Sequence, residues 1–188
     1  MNQNHRSSSS PWGARAAWLG AFVLSVALFS AGLTCAVPLV AFAAICALRQ
    51  SRAQALLFMA VLWLADELIA FTLLGFPARA VAFGWAGLIG TAILAATWAA
   101  GAVAKRSTRG SMLTVFVTAF AVYEGVMWAV SSLIGAAHGA FTAGILLQVL
   151  VLNAVTFAAL LFVGALSTRT AARAARTTQI AHAPQRAG

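Results

Sequence analysis

Four stretches of this chain, 53–76, 80–104, 112–135 and 142–166, are each long and apolar enough to cross a bilayer, with basic residues gathered at their edges. A span needs about 20 apolar residues to bridge a hydrocarbon core of about 30 Å. Two further segments, 16–33 and 35–48, form one apolar run from Ala16 to Leu48, interrupted at Thr34–Cys35 and Pro38. As a single helix that run would extend about 50 Å at 1.5 Å per residue, too long for one crossing. A tight hairpin with Pro38 near the start of its second helix fits better. The predicted fold is an all-α membrane protein, a bundle of about six transmembrane helices.

Composition excludes the soluble alternative. Of 188 residues, 62% are hydrophobic and 8% are charged, whereas a soluble domain carries about 25% charged residues. In lipid no polar covering is needed, because the solvent is itself apolar. The net charge of +9 does not point to nucleic acid, since no basic patch interleaved with aromatics is present. Cys35 and Cys46 are too few for a disulfide framework and read as small apolar residues. No HExxH, GxSxG, CxxC or Gly-rich phosphate-binding loop occurs, so the chain reads as no enzyme, with no cofactor and no metal. The basic lead and apolar stretch at the N-terminus resemble a secretory signal, but the stretch runs well past the usual h-region and Thr34 does not suit a lipoprotein cleavage site.

Charge bias sets the orientation. With the N-terminus inside, the inner segments hold Arg6, Arg15, Arg49, Arg52, Lys105, Arg106, Arg109, Arg169, Arg173, Arg176 and Arg186, and the outer loops hold only Arg79. Basic residues gather on the cytoplasmic side, so both termini are predicted to be cytoplasmic. The organisation read from this is a disordered lead over 1–14, a six-helix domain over 15–167 and a basic cytoplasmic tail over 168–188, in a bacterial-type inner (plasma) membrane. The tail's Arg169, Arg173 and Arg176 lie at near-helical spacing, which suits an anionic lipid surface.

The chain has three acidic residues, Asp66, Glu67 and Glu124, and all lie inside predicted spans. A charge near the bilayer centre costs on the order of 3 kcal/mol, so it persists only where it faces protein or water. Counted from the basic ends, Asp66 and Glu67 stand about 20 Å along their span and Glu124 about 18 Å along its own. Gln148 and Asn153 lie about 9 and 16 Å below the outer surface on the last span. Trp63 is one turn from Glu67, and Trp128 and Ser131 are one and two turns beyond Glu124. Aromatic walls with a few convergent polar groups describe a small-molecule site. Its predicted members are Trp63, Asp66, Glu67, Phe71, Tyr123, Glu124, Trp128, Gln148 and Asn153. The same acids would also serve as interhelical hydrogen-bonding groups, protonated by desolvation. Arg79 is the one basic side chain near them in sequence, and His138 reads as a loop residue.

The segment from Trp63 through Ala65-Asp66-Glu67 to Leu74-Gly75-Phe76-Pro77 resembles a stretch of the S-components of energy-coupling-factor vitamin transporters, in particular the solitary cobalamin-uptake type. Tyr123-Glu124 on a later helix and Asn153 on the final one look similar too. The resemblance implies a six-helix substrate-binding membrane protein that works with a separate energising ATPase module or as a homo-oligomer. Near Leu73 the cobalamin type carries a cobalt-ligating cysteine, and amide or small residues replace Asp66 and Glu67. Leucine ligates no metal, and two adjacent carboxylates suit a cation electrostatically.

Three functions follow as expectations. The first is solute uptake, with a vitamin-like, corrinoid or cationic small molecule bound in an outward-facing intramembrane pocket. The second is an ion- or proton-coupled carrier using Glu67 and Glu124. The third is a non-transporting membrane subunit. The expected partners are the ligand and the lipid bilayer.

Overall fold

The computed structural model describes residues 37–106, 112–135 and 141–181, the side chains of 106 and 166–181 excepted. The predicted first span 16–33, Cys35 and His138 lie outside the described residues. Five helices run in order: α1 Leu39–Arg49, α2 Arg52–Thr72, α3 Ala80–Arg106, α4 Met112–Leu133 and α5 Ala143–Ala181. The last four each contain a window long and apolar enough to cross a membrane. The protein is an all-α, multi-pass membrane bundle.

Each helix end has a local cause. Ser51 caps α2 with a reciprocal pair of bonds: its hydroxyl accepts from the Gln54 N–H and the Gln54 side chain accepts from the Ser51 N–H. This satisfies two donors that the first turn leaves open. α2 closes at Leu73, and the chain turns through Gly75 at φ +70°, a left-handed conformation that favours glycine. Gly135, at φ +71°, ends α4 in the same way. Thr142 opens α5 by accepting the Ile145 N–H on its hydroxyl. Inside the spans Thr72, Thr91, Thr97 and Thr118 return their hydroxyls to the carbonyl four residues back. That keeps hydroxyl groups satisfied where water is scarce.

The centre of the bundle is the shortest helix. Every residue of α1 from Leu39 to Ala47 is buried, the signature of a helix that is apolar all round. It packs against α2, α3, α4 and α5, while α3 packs also on α2 and α4. Phe157 of α5 reaches the Phe116 ring of α4, centroids 4.9 Å apart. The outward faces of the long helices carry exposed leucines, valines and aromatics, including Leu57, Leu68, Val81 and Phe162, as lipid contact requires.

Two boundaries differ from the sequence reading. The segment predicted as a second span over 35–48 is an 11-residue helix, about 16 Å long and so half a hydrocarbon core. Pro38 stands at its N-cap, as the hairpin argument required of a proline near the helix start. The final helix continues past the apolar segment that ends near 166, unbroken to Ala181, in an extension half of which is alanine and arginine, both strong helix formers.

Candidate functional site

Asn153 fixes the inner end of α1. Its side-chain carbonyl accepts the Ala41 N–H at 3.1 Å, and its amide donates to the Val149 carbonyl at 3.0 Å. Asn153 is 2% exposed, so the bond to Ala41 supplies an acceptor to a helix N-terminus within the apolar interior. The amide predicted to line a pocket therefore holds one helix against another. At the opposite end of α1, the Arg49 guanidinium lies directly against Gly164 of α5. These two contacts pin α1 along α5.

Trp63 also joins helices. Its indole lies flat over Gly90 of α3, and its N–H donates to the Ala86 carbonyl at 3.1 Å. The Glu67 carboxyl, one turn further along α2, comes within reach of the same N–H. Phe71, another turn on, stacks on Phe83 of α3 with ring centroids 4.8 Å apart. Trp63 and Phe71 thus form the α2–α3 seam, and Glu67 stands between them.

The acids are divided between two helices, Asp66 and Glu67 on α2 and Glu124 on α4. The Tyr123 phenol of α4 lies within electrostatic reach of Glu124 beside it and of Asp66 and Glu67 on α2. Tyr123 is itself partly buried and packs on the central core. Asp66, Glu67 and Glu124 are all half-buried, so none faces lipid fully. Neither Glu67 nor Glu124 forms an ion pair among the described residues. Arg79 is exposed in the connection between α2 and α3.

The remaining predicted members stand apart. Trp128 is 58% exposed, and Gln148 is also exposed, which puts both on the outside of the bundle. Ser131 is fully buried, with a hydroxyl that has no hydrogen-bond partner among the described residues. It lies about 10 Å beyond Glu124 along α4 at 1.5 Å per residue. A buried orphan hydroxyl is uncommon and marks a position where a polar group is still to be met.

The structure therefore leaves Asp66, Glu67, Tyr123 and Glu124 half-buried inside the bundle, with Ser131 further along α4. It commits Trp63, Phe71 and Asn153 to packing. Among the described residues no three His, Cys, Asp or Glu side chains are arranged to hold a metal ion. Sequence reasoning missed the Ala41–Asn153 bond and the seat of Trp63 on Gly90, since each joins positions remote in the chain. The Ser51–Gln54 cap was readable from its spacing, a Ser followed three residues later by Gln. Compared with known proteins, the chain matches no protein-family model, no curated protein and no solved structure.

Proposed function

We propose that the protein is a membrane carrier that takes a small cation, an organic amine or a proton, at Glu67 and Glu124 beside Tyr123. The observation that carries this reading is that the three carboxyl groups of the chain are half-buried inside apolar membrane spans, all within electrostatic reach of the Tyr123 phenol. Holding a carboxylate there costs on the order of 3 kcal/mol on insertion scales. A chain that places its only acids in that position, without an ion pair for Glu67 or Glu124, has an electrostatic need for a mobile cation. The Tyr123 ring adds an aromatic face that suits an alkylated amine.

Uptake from the outside would begin at the end of the bundle remote from Arg52 and Lys105. Release would follow at the basic end. A separate ATPase module, as the resemblance to vitamin-transporter subunits implies, or an ion gradient would supply the energy.

Thermal-shift titration of the purified protein with cationic amines and their neutral isosteres tests the amine reading, and proton flux in liposomes tests the proton reading. Glu124→Gln keeps the shape and removes the charge. For an amine carrier it should weaken amine binding by on the order of tenfold or more, the worth of a charge-assisted hydrogen bond. For a proton carrier it should abolish flux. A chain that shows no amine-dependent shift and no flux, in wild type or in Glu67→Gln and Glu124→Gln, is a non-transporting subunit and the proposal fails.

A further inference from the structure

At the basic end of the bundle a pocket is built around an arginine. It has a volume of about 180 Å³ and opens where α1 ends, α2 begins and α3 ends. Its floor is small and apolar, formed by Ala47, Ala55, Gly101 and Ala104, and its polar rim is Gln50, Arg52 and Lys105. Arg52 is held in place. Its guanidinium lies 4.9 Å from the centroid of the Trp98 ring, and its Nε sits over Gly101. A cation over an indole face is attracted by the ring quadrupole, which fixes the guanidinium plane at the pocket wall.

The Arg52 Nε is buried and donates to nothing among the described residues. Buried polar groups are nearly always hydrogen-bonded, so this donor is open to an acceptor that the described residues do not supply. The sequence shows why. All three acidic side chains of the protein are Asp66, Glu67 and Glu124, and the nearest along α2 stands about 21 Å from Arg52 at 1.5 Å per residue. Lys105, on the opposite rim, is exposed. Two cations and a buried guanidine N–H thus meet at a small cavity at the basic edge of the spans.

We infer that this pocket binds a phosphate-bearing anion, held by Arg52 and Lys105. At this level of a bilayer the abundant anions are headgroup phosphates, and basic residues at span ends are the groups that recognise them. The cavity holds a headgroup, not a protein segment. Arg52 supplies a directed N–H, and Lys105 supplies a point charge. The apolar floor leaves the anion few competing acceptors and strengthens both contacts.

The test is native mass spectrometry of the full chain released from detergent with phosphatidylglycerol, phosphatidylcholine or inorganic phosphate, on wild type, Arg52→Gln and Lys105→Gln. Lys105→Gln changes an exposed position and keeps the fold, which a melting curve without lipid verifies. Wild type should retain phosphatidylglycerol over phosphatidylcholine. Each variant should lose that retention by on the order of tenfold, as removal of one charge-assisted hydrogen bond implies. Displacement of the lipid by inorganic phosphate at comparable concentration assigns the site to free phosphate. Resistance to displacement assigns it to the lipid. If Lys105→Gln retains phosphatidylglycerol and phosphate as wild type does, the inference is wrong, whatever Arg52→Gln does.

Discussion

Gly90→Ala is the smallest change that tests how the bundle is built. A Cβ at Gly90 would stand 2.5 Å from Cε2, 2.7 Å from Cζ2 and 2.9 Å from Cδ2 of the Trp63 indole. Carbon atoms in contact sit about 3.5–4.0 Å apart, so the ring must move by roughly an ångström. It is a rigid plane that cannot fold away, and its N–H is committed to the Ala86 carbonyl. Overpacking of this kind costs about 1–3 kcal/mol, and loss of the hydrogen bond adds about 1 kcal/mol. Alanine returns up to about 1 kcal/mol through helix propensity. The net expectation is a loss of about 1–3 kcal/mol. Equilibrium unfolding in mixed micelles, followed by circular dichroism, measures it. Repeating the substitution in a Trp63→Leu background isolates the clash, because leucine leaves room for the methyl. There Gly90→Ala should be neutral or stabilising. An equal loss in both backgrounds, or no loss in wild type, would refute the seat of Trp63 on Gly90.

Gly164→Ala makes the contrasting case. The new methyl would overlap the Arg49 guanidinium, but that group is the far end of a flexible side chain and can swing aside. The same unfolding assay should show a change within about 1 kcal/mol, clearly smaller than at Gly90. Asn153→Ala removes one of the two acceptors of the Ala41 N–H, which also donates to the Pro38 carbonyl at 3.1 Å. It should cost about 1 kcal/mol for the lost interhelical hydrogen bond, and hydrogen exchange at the start of α1 should accelerate while α3 stays protected.

Four of the five helices were legible in the sequence because the feature that makes a span, an apolar run ending in arginine or lysine, is local. Met112 as the start of α4 and Ala80 as the start of α3 match the predicted ends to the residue. α1 was not legible as a half-length helix. Hydropathy reports that Leu39–Ala47 avoids water, but lipid and protein interior satisfy that demand equally, and only packing shows that this segment is enclosed by protein. The same blindness explains Trp128 and Asn153. A tryptophan one turn from a glutamate faces the site or the surface according to neighbours 60 residues away or more, and the surface holds it. Asn153 reads as polar and mid-membrane, both of which it is. That its partner would be a backbone N–H 112 positions earlier is written nowhere near it. The common depth of the acids was readable because depth along a helix is simple arithmetic.

That shared depth gains meaning from where α1 stops. Counted from the basic end, Pro38 stands about 16 Å up, Glu124 about 18 Å and Asp66 about 21 Å. The acids therefore lie within about one turn above the end of a helix that ends halfway through the bundle. Irregular backbone at membrane depth is tolerated only where protein or water covers it, and here Asn153 supplies part of that cover. The dipole end of α1 is positive, and the three carboxyl groups at nearly the same depth are negative when ionised. Each makes the other less costly to keep inside a membrane. A full-length helix in place of α1 would carry its dipole end to the surface and leave the carboxyl groups without that compensation. The truncation of α1 and the depth of the acids are thus two parts of one electrostatic arrangement, with Asn153 as the side chain that holds them in register.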